Sequence, residues 1–219
     1  MPRLLFEKMG TSIWMSHLDL MRLFQRSFKR AGLQLSHTNG YNPRPSVTIA
    51  LPLSVGVESR CELLDFDLVG ESVANDVIRD RLNEALVDGV RVLDVYDTGA
   101  KIGNIAFLRC MISLCYEQQI QDSNVSAIRE LFRMDQLLVE KKTKGGVQEQ
   151  DIIPMIRMMD VQRGENNSVV INTMICCQNP TLNPNQIVLA VEKYLPDLKP
   201  ACTKICREEI FDKNESVFR

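Results

Sequence analysis

The amino-acid sequence predicts an α+β protein made of two ferredoxin-like (βαββαβ) domains in tandem. Three observations carry that expectation. Over residues 1–98 the apolar period switches between the strand and the helix repeat in the order β-α-β-β-α-β. A short polar stretch with two glycines follows at 97–104, and residues 105–219 then run through much the same order again. At 219 residues, 45% hydrophobic and 25% charged, the chain has the composition of a globular protein with a core to bury, which excludes disordered and fibrous classes.

In the first domain, residues 3–7 form a short apolar strand that ends in a loop. Ser16, followed three residues on by Asp19, has the spacing of a helix cap, because the hydroxyl accepts an orphan backbone N–H and the carboxylate favours the positive helix end. Leu20, Phe24 and Phe28 recur at i, i+4 and i+8, and Gly32 closes the helix. From 35 to 59 the chain is punctuated by Asn39-Gly40, Asn42-Pro43, Pro45 and Pro52, with one short strand at 47–51. Residues 62–68 alternate acidic and apolar as a half-buried strand; Asp65 and Asp67 share one face, and Glu62 with the alternation reads as the wet side of an edge. A helix at 72–86, a turn at Asp88-Gly89 and a strand at 90–96 complete the set.

The second domain reads as a strand at 105–116, a helix at 125–134 and a strand at 137–141 entering a turn at Lys144-Gly145-Gly146. A hairpin of 152–161 with 169–176 follows, then a helix opened by Asn183-Pro184 and a closing strand at 203–211. That is one strand more than a strict repeat requires.

The net charge of -2 argues at first against a polyanionic partner. It is a cancellation: residues 1–60 hold eight Lys and Arg against three Asp and Glu, a net +5, and the remainder carries -7. A polyanion would therefore meet the first sixty residues. With no apolar run of 18 residues and no signal-peptide pattern, a cytoplasmic protein without a membrane partner is expected. The seven cysteines are odd in number and sit mostly in apolar runs, which predicts reduced thiols. Cys176-Cys177 and Cys202-x-x-x-Cys206 lack the Cys-x-x-Cys spacing of structural zinc, and no cluster-binding triplet or phosphate-binding glycine loop is present. No metal and no cofactor is expected.

Two constellations are candidates for a site. Arg22, Arg26, Lys29 and Arg30 share one face of the first helix, away from Phe24 and Phe28, with only Asp19 nearby; a solvated face and an anion-binding face both fit. The segment 36–45 presents Asn39, Tyr41, Asn42 and Arg44 on a proline-stiffened loop, suited to an unpaired base and its phosphate, or else folded back over the sheet. The only histidines, His17 and His37, are the candidate acid and base of a catalytic reading, with Arg44 stabilising charge on phosphorus; a local capping role is the plainer reading of His17.

The run Trp14-Met15-Ser16-His17-Leu18-Asp19-Leu20-Met21-Arg22, the stretch Lys29 to Leu33, Asn39-Gly40-Tyr41-Asn42-Pro43-Arg44-Pro45, Ala50-Leu51-Pro52-Leu53 and Gly56-Val57-Glu58-Ser59 strongly resemble the radical-SAM-linked protein family of bacteria. The chain departs from that family's usual residues at Gln34, Tyr41, Arg44 and Ile153. The resemblance implies a radical-SAM protein as partner. A fold-level likeness to CRISPR repeat-processing endoribonucleases raises the expectation of RNA rather than DNA. The leading expectation is a non-catalytic accessory module that binds tRNA or rRNA through Arg22, Arg26, Lys29, Arg30, Asn39, Tyr41, Asn42 and Arg44. The alternatives are a metal-independent RNA-processing or RNA-modifying enzyme using His17 and His37, and a protein-interaction domain docking on the radical-SAM partner.

Overall fold

The computed structural model describes residues 2–143 and 146–219 as an α+β protein. The chain divides into two compact units, Met1–Ile102 together with Arg219, and Gly103–Phe218.

The first unit contains β1 (Pro2–Lys8), α1 (His17–Arg30), β2 (Val47–Ile49), β3 (Val57–Phe66), α2 (Asn75–Ala85) and β4 (Val90–Asp97). The strands lie in the order β4-β1-β3-β2, every neighbour antiparallel. Both helices pack on one face around Leu4, Phe6, Leu20, Phe24, Phe28, Leu64, Phe66, Ile78 and Leu82. Phe6 meets Phe24 edge-on at 4.7 Å, and Phe28 meets Phe66 at 5.0 Å. Each fully buried phenylalanine contributes about 1.5–3 kcal/mol, so these rings anchor α1 to the sheet.

The helix α1 follows its sequence signals. Ser16 Oγ accepts the Asp19 amide at 3.2 Å at the start. At the end Gly32 takes φ +69, while the Gly32 and Leu33 amides donate back to Lys29 and Phe28 carbonyls at 3.2 and 2.9 Å. That double closure needs a left-handed residue, which glycine supplies without a Cβ clash. The helix expected at 72–86 begins at Asn75 instead, because Ala74 stays extended and Val73 packs on the core from there.

The wet edge expected at 62–68 is overturned at Glu62 and Asp65, while Asp67 is exposed as expected. β3 lies between β1 and β2, and Glu62 and Asp65 are buried. Arg3, across the β1–β3 ladder, grips Asp65 through both oxygens, Nε to Oδ1 at 2.6 Å and Nη2 to Oδ2 at 3.1 Å, and also donates to the Ala100 carbonyl. Ser59 Oγ donates to Glu62 Oε1 at 2.7 Å. Buried carboxylates persist where charged or hydroxyl partners replace lost water.

The second unit contains β5 (Ile105–Cys115), α3 (Asp122–Leu131), β6 (Leu138–Thr143), β7 (Gly146–Asp151), β8 (Ile156–Arg163), β9 (Ser168–Cys176), α4 (Pro184–Tyr194) and β10 (Cys202–Asp212). Its main sheet runs β10-β5-β9-β8, again all antiparallel. The surplus strand is accounted for by a ribbon: β6 pairs only with β7, Leu138 opposite Asp151, between α3 and β8. The expected turn at Lys144-Gly145-Gly146 places Lys144 and Gly145 outside the described residues, and Gly146 is already in β7.

Two boundaries move for local reasons. α3 begins at Asp122, three residues early, because Gln121 and Asn124 cap it reciprocally. The strand expected from 152 begins at Ile156, because Ile153-Pro154-Met155 form a 3-10 turn. Pro184 opens α4 at its first turn as expected, with Asn183 as cap.

Candidate nucleic-acid interface

The approach to α1 is fixed from below. Lys8, fully buried at the end of β1, donates from Nζ to the Ile13 and Met15 carbonyls at 3.0 and 3.2 Å. This holds the 3-10 turn Gly10–Trp14 against the sheet. The same turn is tied by Met9 N–H to the Gly89 carbonyl (2.7 Å), by Ser12 Oγ to the Asp88 carbonyl (2.6 Å) and by Gly56 N–H to the Ile13 carbonyl (2.9 Å). Trp14 is carried on this pinned backbone and is 70% exposed.

α1 buries Leu20, Phe24, Ser27 and Phe28 and turns Arg22, Arg26, Lys29 and Arg30 outward, all four exposed. The tertiary structure divides them between its two flanks. Arg22, Arg26 and Arg30 line a cleft of about 630 Å³ with Thr11, Trp14, Asp19 and Val87. Lys29 lines a groove of about 530 Å³ on the other flank, with Gln25, Leu33, Leu35, His37 and Pro45.

The cations also differ in how far they are engaged. Arg30 donates to the Ala85 carbonyl at 2.7 Å and to Ser27 Oγ at 3.2 Å, so it ties α1 to the end of α2. Arg22 contacts Asp19 at 3.4 Å with both groups exposed, a weak pair. The Asp19 carboxyl is held below its ordinary range, chiefly by the Ser16 hydroxyl and also by Arg22. Among the described residues, Arg26 and Lys29 form no ion pair.

The 36–45 segment is a closed loop. Its neck is laced by Ser46 N–H to the Ser36 carbonyl (2.8 Å), Thr38 N–H to the Arg44 carbonyl (2.8 Å) and Arg44 N–H to Thr38 Oγ1 (3.1 Å). Ser36 Oγ bonds Asp67 at 2.9 Å and fastens the neck beside β3. The tip, Asn39 to Pro43, stands in solvent, with Tyr41 fully exposed. Arg44 lines a third cleft, of about 600 Å³, with Thr38, Ser46, Thr48 and Asp67, and this cleft shares Pro45 with the Lys29 groove.

The structure therefore brings Lys29 and His37 together, with Arg44 on the far side of Pro45. It sets Arg22, Arg26 and Arg30 apart from them with Trp14, and Asn39, Tyr41 and Asn42 line none of the three clefts. His17 lies in the first turn of α1, its Nδ1 buried with no hydrogen-bond partner among the described residues. His37 lines the Lys29 groove, whereas His17 lines none of the three clefts, so the two imidazoles do not share one site. Among the described residues no group of three or more His, Cys, Asp or Glu is placed to hold a metal.

The feature that sequence reasoning missed is Trp14. No periodic signal marked it, because Trp14 lies in the 3-10 turn before the Ser16 cap, outside the period of α1.

Among comparisons with known proteins, a family model described as "Uncharacterized protein conserved in bacteria (DUF2344)" matches residues 2–184. No curated protein matches the chain. Among solved structures, a chain from the crystal structure of a Cbf5-Nop10-Gar1 complex is similar at a TM-score of 0.54 and 7% identity, covering 95% of this chain and 48% of that one. A chain of an H/ACA RNP bound to a substrate RNA containing 2'-deoxyuridine gives 0.46 and 8%, covering 94% and 46%. An unknown protein from Galdieria sulphuraria gives 0.26 and 8%, covering 94% and 95%. The first likeness is one of fold alone, and the chain spans about half the length of the first two solved chains. Among the described residues no helix is long and apolar enough to cross a membrane.

Proposed function

The chain belongs to the bacterial family whose model it matches over residues 2–184, and from that premise we propose that it is a non-catalytic module that binds RNA through its first unit and presents it to a separate enzyme. One observation carries the reading: four exposed cations project from a single well-capped helix, and Arg26 and Lys29 among them have no ion-pair partner among the described residues. A solvated helix face ordinarily mixes signs to relieve repulsion, whereas exposed cations left without a counter-charge, as Arg26 and Lys29 are among the described residues, suit phosphate groups. Of the eight cations in residues 1–60, Arg3 and Lys8 are buried, and Arg44 and Arg60 are exposed, as are the four of α1.

The strand orders β4-β1-β3-β2 and β10-β5-β9-β8 support reading both units as ferredoxin-like, the second with the β6–β7 ribbon inserted. The resemblance to the radical-SAM-linked family makes a radical-SAM protein the enzyme served. That His17 and His37 line no common cleft favours binding over cleavage.

The test is fluorescence anisotropy with labelled tRNA and ribosomal RNA fragments. Arg26→Glu with Lys29→Glu is expected to weaken binding at least tenfold, with Arg30 left intact because it joins α1 to α2. Unchanged affinity in that double variant, or no affinity in the wild type, refutes the reading.

A further inference from the structure

We infer that the cleft beside α1 is a stacking site for an unpaired base of single-stranded RNA, with Trp14 as the platform and Arg22 and Arg26 holding the adjacent phosphates. This rests on the RNA-binding reading above and narrows it to a substrate class and a second contact region, away from the Lys29 groove.

The largest apolar side chain of a protein is normally among its most buried, yet Trp14 leaves 70% of its surface in water. Its exposure is built in. The ring lies against Gly56, where an added Cβ would sit 3.6 Å from Cζ3, and Gly56 holds φ +81 while its amide bonds the Ile13 carbonyl. Together with the bonds from Lys8 and Ser12 this fixes the backbone under the indole, so little ordering remains to oppose binding.

The charged groups lining the cleft with Trp14 are three guanidiniums and one carboxylate, Asp19, alongside Met15, Leu23 and Val87. The positive balance favours an anionic occupant over a basic peptide, and the apolar lining suits the face of a base. A planar aromatic ring beside cations fits a base with its flanking phosphates, and because every base has a π-face such stacking tolerates sequence. A duplex does not satisfy the site, since its bases are already stacked on one another and only its phosphates are accessible.

Trp14 is the only tryptophan in the chain, so tryptophan emission reports on this cleft alone. The full chain is titrated with a mixed-sequence 12-nucleotide RNA, single-stranded or annealed to its complement, while tryptophan emission and the anisotropy of a dye on the RNA are both recorded. The single strand is expected to quench Trp14 in step with the anisotropy rise, and the duplex to bind more weakly without quenching. Trp14→Ala should weaken single-strand binding by about 5- to 150-fold, with Trp14→Phe recovering part of it. Circular dichroism confirms that both variants fold.

If anisotropy reports binding while emission stays flat and Trp14→Ala binds like the wild type, the stacking site is refuted and the RNA-binding reading stands. If neither signal changes, both fall. If emission responds to a nuclease-treated radical-SAM partner and not to RNA, the cleft is a protein interface and the inference is overturned.

Discussion

Replacing Asp65 by alanine tests the least expected feature of the fold, a carboxylate buried where the sequence suggested a wet strand. Asp65 is 5% exposed and Arg3 1%, and the two share a bidentate contact at 2.6 and 3.1 Å. Removing the carboxylate leaves the guanidinium buried without its bidentate acceptor, a change that typically destabilises by about 3–5 kcal/mol. With a urea m-value of about 2 kcal/mol per molar, the midpoint should fall by about 1.5–2.5 M. The assay is urea unfolding followed by far-ultraviolet circular dichroism, run on Asp65→Ala, Arg3→Leu and the double variant Arg3→Leu/Asp65→Ala. The double variant is expected to be more stable than the sum of the single losses predicts, because no charge is then left in the site. A loss below about 1 kcal/mol in Asp65→Ala, or strict additivity in the cycle, would refute the claim that the pair is a coupled buried interaction.

Two further outcomes follow from the surroundings of the site. Gly89→Ala places a Cβ against the Met9 carbonyl and within 2.9 Å of Ser12 Oγ at φ +83, so it should destabilise by about 2 kcal/mol or more and lower the Tm by about 4–8 °C. Gly10→Ala, at φ +58 with open space around it, should have the milder effect, and equal Tm losses in calorimetry would contradict the contact argument. Among the thiols, burial pushes Cys110 up to about 12, while Cys202 is exposed. Iodoacetamide at pH 8 followed by mass spectrometry should therefore label Cys202 in the native protein and spare Cys110 until unfolding; native labelling of Cys110 at a comparable rate would be the contrary result. In the unfolded chain Cys110 ionises near its ordinary value, so stability should fall as pH rises from about 9 toward 12.

The parts of the fold that were legible in the sequence are those whose signals are local. The capped ends and apolar phase of α1 are set by Ser16, Leu20, Phe24, Phe28 and Gly32, all within seventeen residues, and the structure follows them closely. β7 was illegible because Gly146–Asp151 has exposed positions on both faces, leaving no two-residue apolar period to read. Glu62 and Asp65 looked solvent-facing because acids alternating with apolar residues do so by default. The partner that reverses this for Asp65, Arg3, lies 62 residues away in sequence.

The candidate site divides in the same way. Helical spacing placed Arg22, Arg26, Lys29 and Arg30 on one face. Which flank each serves depends on the 33–45 segment packing along one side of α1 and the 88–89 turn holding Trp14 along the other, both of them tertiary events. The engagement of Arg30 by the Ala85 carbonyl is likewise a contact across 55 residues.

The most direct test of RNA binding by α1 is the salt dependence of that binding. For a single-stranded RNA titrated between 50 and 200 mM KCl, engagement of Arg22, Arg26 and Lys29 predicts a slope of log K on log salt near about -2, from roughly -0.7 per phosphate neutralised. Arg26→Glu with Lys29→Glu should flatten it by about 1.4 or more. A slope near zero in the wild type, or the same slope in both proteins, would contradict the account.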